Sequence, residues 1–149
     1  MVGERLQAWR VANDHRVPDN VIYFRDGVSD GQYAQVKAEG LPEIIKAFEN
    51  VAPPGHQVKL TALVVVKRHH TRSYPIADED KHGTKKHEAS CKPGTLVDRI
   101  VTSPYFADFF LQSHTGLKGT AKPAHYFVLQ DDKGWQIPEL QQFLSRSHT

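Results

Sequence analysis

Four places in this chain carry residue types that could do chemistry. The first is Asp26, which follows the apolar run Val21-Ile22-Tyr23-Phe24 after Arg25 and is itself followed by Gly27. In open α/β sheets the carboxyl ends of strands gather active sites, so a carboxylate there is a candidate metal ligand or base. Asp-Gly after a strand is equally ordinary turn chemistry, and the residues alone leave both readings open. The second is residues 67–72, KRHHTR, where Lys67, Arg68 and Arg72 stand with His69 and His70 and no acid. Cations at the end of a rigid strand suit phosphate oxygens, and arginine adds bidentate geometry; a solvated basic loop is the alternative. The third is residues 114–122, HTGLKGTAK. Its two glycines let backbone approach a ligand, while His114, Lys118, Thr120 and Lys122 offer donors to phosphate. It lacks the Walker spacing, which argues against a nucleotide P-loop and leaves a glycine-containing turn as the alternative. The fourth is the set His82, His87 and Cys91, all metal-ligand types, but their spacing fits no common finger or ribbon and a solvated loop is the better reading. The adjacent His69 and His70 point apart in an extended chain and make a poor chelate.

The elements that must position these residues read as mixed α/β. Residues 3–12 place Leu6 and Trp9 at helical spacing, with Glu4 near the start and Arg10 near the end, as the helix dipole favours. Val21 to Phe24 reads as a strand buried on both faces. Ser29 or Asp30 caps a helix reaching about residue 50, with Val36, Ile44, Ile45 and Phe48 inward; Gly40 and Pro42 demand a kink or a division into two helices. The most apolar strand spans residues 59–66. Residues 75–93, rich in Lys, His, Asp and Gly, read as a mobile loop. Short strands follow at 96–101, 106–112 and 125–130, and a last helix at 137–147 carries Pro138 in its first turn, where a missing N–H costs least. Trp9, Trp135, Phe109 and Phe110 read as core.

Composition narrows the class. The chain has 149 residues, room for one domain, and a formal net charge of only +2 from 19 Lys and Arg against 17 Asp and Glu. That excludes a strongly basic coat protein or an acidic tail. One cysteine excludes an internal disulfide and fits a reducing compartment. The longest apolar run is far short of the ~20 residues of a membrane helix, and the N-terminus has no apolar signal region. The expectation is a soluble intracellular domain, or a domain's worth of something longer.

Taken together, five blocks form a pattern: YFRDGVSDGQY (residues 23–33), VVVKRHHTR (64–72), PGTLVD (93–98), DFFLQSHTGLKGTAKPAHYFVLQDD (108–132) and ELQQF (139–143). In order and separation they resemble the PIWI domain of eukaryotic Argonaute proteins, over nearly the whole chain. The resemblance implies an α/β, ribonuclease H-like fold that holds a small guide RNA and, in active members, cuts a paired target RNA with two divalent ions, usually Mg2+. It implies a partial domain over residues 1–149, the later part, lacking the first strands and the final helices. Of the family's catalytic acids and histidine, only Asp26, in RDGVS, is matched; it would be a metal ligand only in a complete domain. His125, in PAHYF, matches a different histidine of the family.

The guide-contacting residues carry over better. Lys67, Arg68, His70 and Arg72 match the stretch that lines the guide's backbone. His114, Lys118, Thr120 and Lys122 match the second contact loop, where many relatives have Gln and Arg in place of Lys118 and Lys122; lysine loses bidentate geometry. Phe127, Gln130 and Ser103 depart from a usual His, Trp and His. The expected function is therefore guide-RNA binding in RNA-mediated gene silencing, in the cytoplasm and also the nucleus. The chain alone is expected to be catalytically incomplete and without a cofactor of its own. The alternative is a fragment of an active RNA-guided endoribonuclease whose missing catalytic residues lie on adjoining sequence. The exposed edge of the 21–24 strand would invite self-association.

Overall fold

The computed structural model describes residues 2–77, 81–82 (backbone only), 90–114 and 121–146. Helix α1 (Val2–Ala12) and strand β1 (Asn20–Asp26) come first. A 3-10 turn (Asp30–Gln32), a short helix α2 (Tyr33–Gln35), a π turn (Val36–Gly40) and helix α3 (Leu41–Glu49) follow without a break. Strands β2 (Lys59–Val66), β3 (Lys81–His82), β4 (Ser90–Cys91), β5 (Leu96–Val97), β6 (Asp108–Leu111) and β7 (Ala124–Asp131) lead to helix α4 (Ile137–Arg146). The five-stranded sheet has the order β1-β2-β7-β6-β5, while β3 and β4 pair separately. This is the mixed α/β class expected.

The chain divides into two units. One comprises the residues up to Leu63 together with Leu129–Gly134. There α1 packs on α3, burying Leu6, Leu41, Ile44 and Phe48. Gln32 Oε1 accepts the Ser29 N–H, the returning half of a capping box, so Ser29 opens the helical segment as its type suggests. The demanded break at Gly40 and Pro42 takes the form of the π turn, in which the Leu41 N–H reaches the Val36 carbonyl. Pro42 has no N–H and would press on the carbonyl four residues back; the wider turn relieves both problems. Asp131 and Asp132 fasten the start of β2. The Leu60 N–H donates to Asp132 Oδ2 at 3.0 Å, and Thr61 Oγ1 donates to Asp131 Oδ1 at 3.1 Å.

Two expectations fail in this unit. Strand β1 is not buried on both faces: none of its residues is buried, and Phe24 is 47% exposed. It is the terminal strand of its sheet, and only an interior strand covered on both sides needs a fully apolar run. Trp9 is not core either; it is 39% exposed on the wall of an open apolar groove of about 490 Å³, shared with Leu6, Val21 and Phe48.

The other unit comprises Val64–Val128 and Trp135–Thr149. Its centre is an antiparallel meander of β5, β6 and β7, with Leu96 opposite Leu111, Phe109 opposite Tyr126 and Phe110 opposite His125. Side chains alternate between faces. Phe109 stacks on Tyr126 on one face (5.2 Å), and Phe110 stacks on His125 on the other (4.2 Å). Phe109 and Phe110 are buried as expected, and Leu140 and Leu144 of α4 are buried too. Trp135 is half-buried, its ring against Phe143. Strand β5 stops at Val97, short of the expected 101, and beyond it the chain turns away, with Ile100 in a left-handed conformation (φ 70°) facing solvent. Within the stretch read as a mobile loop, residues 78–80 and 83–89 lie outside the described residues, as does His87 of the weighed metal set. The β3–β4 ladder lies in the same stretch, with Ser90 and Cys91 buried.

Candidate nucleic-acid interface

Strand β2 is buried from Leu60 to Val64, so its direction is fixed by the core. The chain leaving it after Val66 is an irregular, extended strap. Lys67, Arg68, His70 and Arg72 are all exposed, while His69 and Thr71 between them are half-buried. From Arg68 on, the strap alternates outward and inward as an extended backbone must. The four residues singled out by the sequence therefore present a cationic rim to solvent. Arg72 is partly held in place, its Nη1 donating to the Thr71 carbonyl at 2.9 Å.

The second set is placed by different means. His114 is exposed, and its carbonyl accepts the side-chain N–H of Gln112, a residue only 2% exposed at the end of β6. A buried amide thus sets where the chain leaves the sheet. Lys118 and Thr120 lie outside the described residues. Lys122 is half-buried between two fixed neighbours: the Ala121 N–H donates to Ser90 Oγ at 2.9 Å, and the Pro123 carbonyl is 2.7 Å from His69 Nε2.

His69 is the residue the sequence reading passed over. Its ring meets Phe110 edge-on at 5.2 Å and His125 at 6.3 Å. Its Nδ1 is buried with no hydrogen-bond partner among the described residues. Its pKa is held below the ordinary value of 6.5, first by burial. The Pro123 hydrogen bond pulls upward, and Lys122, His125 and Arg72 add to the lowering. His125, behind it, places Nε2 2.6 Å from Asp108 Oδ2, and Asp108 Oδ1 accepts the Ser103 N–H at 2.8 Å. The period-two alternation of the strap was the available signal for His69. Nothing local marks Asp108, whose partner His125 lies seventeen positions on, while Gln112 acts on His114 only two residues away.

Asp26 closes β1, exposed, in the first unit. Its Oδ1 accepts the Gly27 N–H at 2.7 Å, and Gly27 has φ +74°, the conformation that calls for glycine. Locally this is the turn chemistry weighed above. Two-ion phosphodiester chemistry needs carboxylates from several elements. Among the described residues no group of three His, Cys, Asp or Glu could hold a metal ion, and Asp131 and Asp132 are committed to β2. The described residues therefore do not fit a divalent-ion pair, and no step is assigned to one. No helix among them is long and apolar enough to cross a membrane.

The model of the family described as the Piwi domain matches residues 1–149. Protein argonaute 18 of Oryza sativa subsp. japonica is 40% identical over 141 residues, 95% of this chain and 13% of that protein. Protein argonaute-2 of Drosophila melanogaster is 41% identical over 139 residues, 92% of this chain and 11% of that protein. Among solved structures, the C-terminal lobe of a budding yeast Argonaute superposes with a TM-score of 0.82 at 32% identity, covering 99% of this chain and 32% of that one. Kluyveromyces polysporus Argonaute with a guide RNA gives 0.81 at 33% identity, covering 95% and 18%. The chain thus spans about an eighth of the length of these curated relatives.

Proposed function

The chain belongs to the Piwi domain family, as found in Argonaute proteins, and from that premise we propose that it binds the backbone of a small guide RNA in RNA-mediated gene silencing. The observation that carries this reading is the strap: Lys67, Arg68, His70 and Arg72 all face solvent at the end of a strand whose direction the core fixes. The structural relative solved with a guide RNA supports the ligand class. Contacts of this kind fix the register of the phosphates without reading bases, so binding is indifferent to sequence. A target RNA paired to the guide would be the second partner, and the site of action would be the cytoplasm, extending to the nucleus.

Within these 149 residues Asp26 is the one position matched to the family's catalytic set, and we propose that they do not cleave RNA by themselves. A second reading is favoured by Asp26, which stands at the carboxyl end of β1 within RDGVS. In that reading the chain is a piece of an active endoribonuclease whose remaining acids lie on adjoining sequence, and sequencing the full transcript decides between the two. The terminal position of β1 also supports association of copies through its free edge.

A salt titration tests the RNA reading. Five permanent cations (Lys67, Arg68, Arg72, Lys118, Lys122) contacting single-stranded RNA give a slope of log affinity on log salt of roughly −3.5, at about −0.7 per contact. Affinity that is absent, or flat in salt, would overturn it.

A further inference from the structure

We propose that His69 is a positioning residue: its neutral ring ties the exposed cationic strap to the segment bearing Lys122, so that two sets of phosphate contacts far apart in sequence act as one surface. The inference rests on the reading of this chain as an RNA-backbone binder.

A carbonyl can only accept, so the 2.7 Å contact of His69 Nε2 with the Pro123 oxygen places the ring proton on Nε2. That bond joins the middle of the strap to the residue next to Lys122, fifty-four positions away. On the other side of Lys122, Ala121 is buried and bound to Ser90. Lys122 therefore stands between two anchors, and His69 is the one that comes from the strap.

The ring itself cannot drift. Phe110 meets it edge-on, and Phe110 is in turn stacked on His125, which is bound to Asp108. In the strap, His69 sits between Arg68 and His70, which both point to solvent, so its anchorage sets the height and direction of both neighbours.

The site is also built to keep the ring uncharged. A second proton would sit on Nδ1, which is buried with no acceptor among the described residues. Among the described residues, the charged or titratable groups acting on the ring are Lys122 from the segment before β7, His125 from β7 and Arg72 from the strap. Asp108 lies behind His125 and is occupied by it and by Ser103. A neutral donor is the chemistry this position needs: it holds a carbonyl between cations without adding to their repulsion.

The test uses the full 149-residue chain. His69→Phe keeps a ring against Phe110 and removes the donor; His69→Gln returns an N–H at about the reach of Nε2. Without RNA, amide hydrogen exchange at residues 67–72 and at Lys122 is expected to rise roughly five- to tenfold together in His69→Phe, the effect of losing one net hydrogen bond, and to return in His69→Gln. With a single-stranded RNA of about twenty nucleotides, the Phe variant is expected to bind several-fold more weakly and the Gln variant like the parent. Ring nitrogen NMR of the parent should show Nε2 protonated and Nδ1 bare. Should His69→Phe fail to fold, His69→Asn, whose amide is too short to reach Pro123, takes its place against His69→Gln. Unchanged exchange at Lys122, failure of glutamine to restore it, or a proton on Nδ1 overturns the inference. A parent chain that binds no RNA overturns the functional reading instead, and the exchange data still decide the tie.

Discussion

His125 Nε2 lies 2.6 Å from Asp108 Oδ2, joining β7 to β6 by a side-chain bond across their antiparallel ladder. The Asp108 side chain is 4% exposed and that of His125 21%, so the bond is made largely out of water. It stands directly behind the His69 ring. His125→Phe preserves a ring against Phe110 but leaves a buried carboxylate oxygen without its donor. We expect a loss of about 2 kcal/mol in urea unfolding. In a cycle with Asp108→Asn, the two substitutions should be non-additive by about 1 kcal/mol or more. Additive effects would show that the contact contributes no coupling.

The cationic rim can be apportioned contact by contact. Arg72→Ala should weaken RNA binding at low salt and make the salt slope shallower by about 0.7, without altering preference among RNA sequences. Lys122→Ala should do the same. A change in sequence preference with an unchanged slope would mean that these residues read bases, which backbone contacts cannot do.

Acid should act through His69. Its folded pKa lies below 6.5, so between the two values the unfolded chain binds more protons than the folded one. This contribution to stability is complete above about pH 6.5 and is lost as pH falls through the folded value. His69→Gln removes the titrating group, so its unfolding midpoint should fall less than the parent's between about pH 7.5 and about pH 5. Parallel pH profiles for the two proteins would contradict the direction given.

Asp26→Ala tests the catalytic position. The carboxylate is exposed and, among the described residues, holds the Gly27 N–H alone, so stability should change by no more than about 0.5 kcal/mol, and RNA affinity should stay the same. We expect the 149-residue chain to cleave no guide-paired RNA with Mg2+, and EDTA to leave its thermal midpoint unchanged. Divalent-dependent cleavage that disappears in Asp26→Ala would reverse that expectation.

The free edge of β1 offers a measurement by sedimentation. Phe24 is 47% exposed on a terminal strand, beside Val21, Ile22 and Tyr23. Concentration-dependent association is expected in the parent and should be reduced by Phe24→Lys, a charge of the kind that protects natural sheet edges. A monomer at all concentrations would remove self-association from the reading.

Much of the fold was legible from local pattern. The apolar residues of β2, broken only by Thr61, mark a buried strand, which begins at Lys59 and ends just before Lys67. Pro138 in the first turn of α4 marks that helix start. Gly40 and Pro42 announced a kink or a division into two helices, and the structure shows the division between α2 and α3 as a π turn. The reading erred at β1 and at Trp9, where an apolar type was equated with burial. Burial depends on what covers a residue, and no local pattern contains that.

The sequence by itself determined the family, most of the longer strands and helices, and the cationic residues of the strap, because these are written in residue type and spacing along one stretch of chain. Tertiary structure decided which way those residues face and what holds them. His69 and Pro123, and Asp108 and His125, are matched donors and acceptors only once the β-meander brings them together. Hydrogen-bond pairing and burial are properties of positions in space, so the strap reads as six basic and polar residues in sequence and as an anchored rim only in the fold.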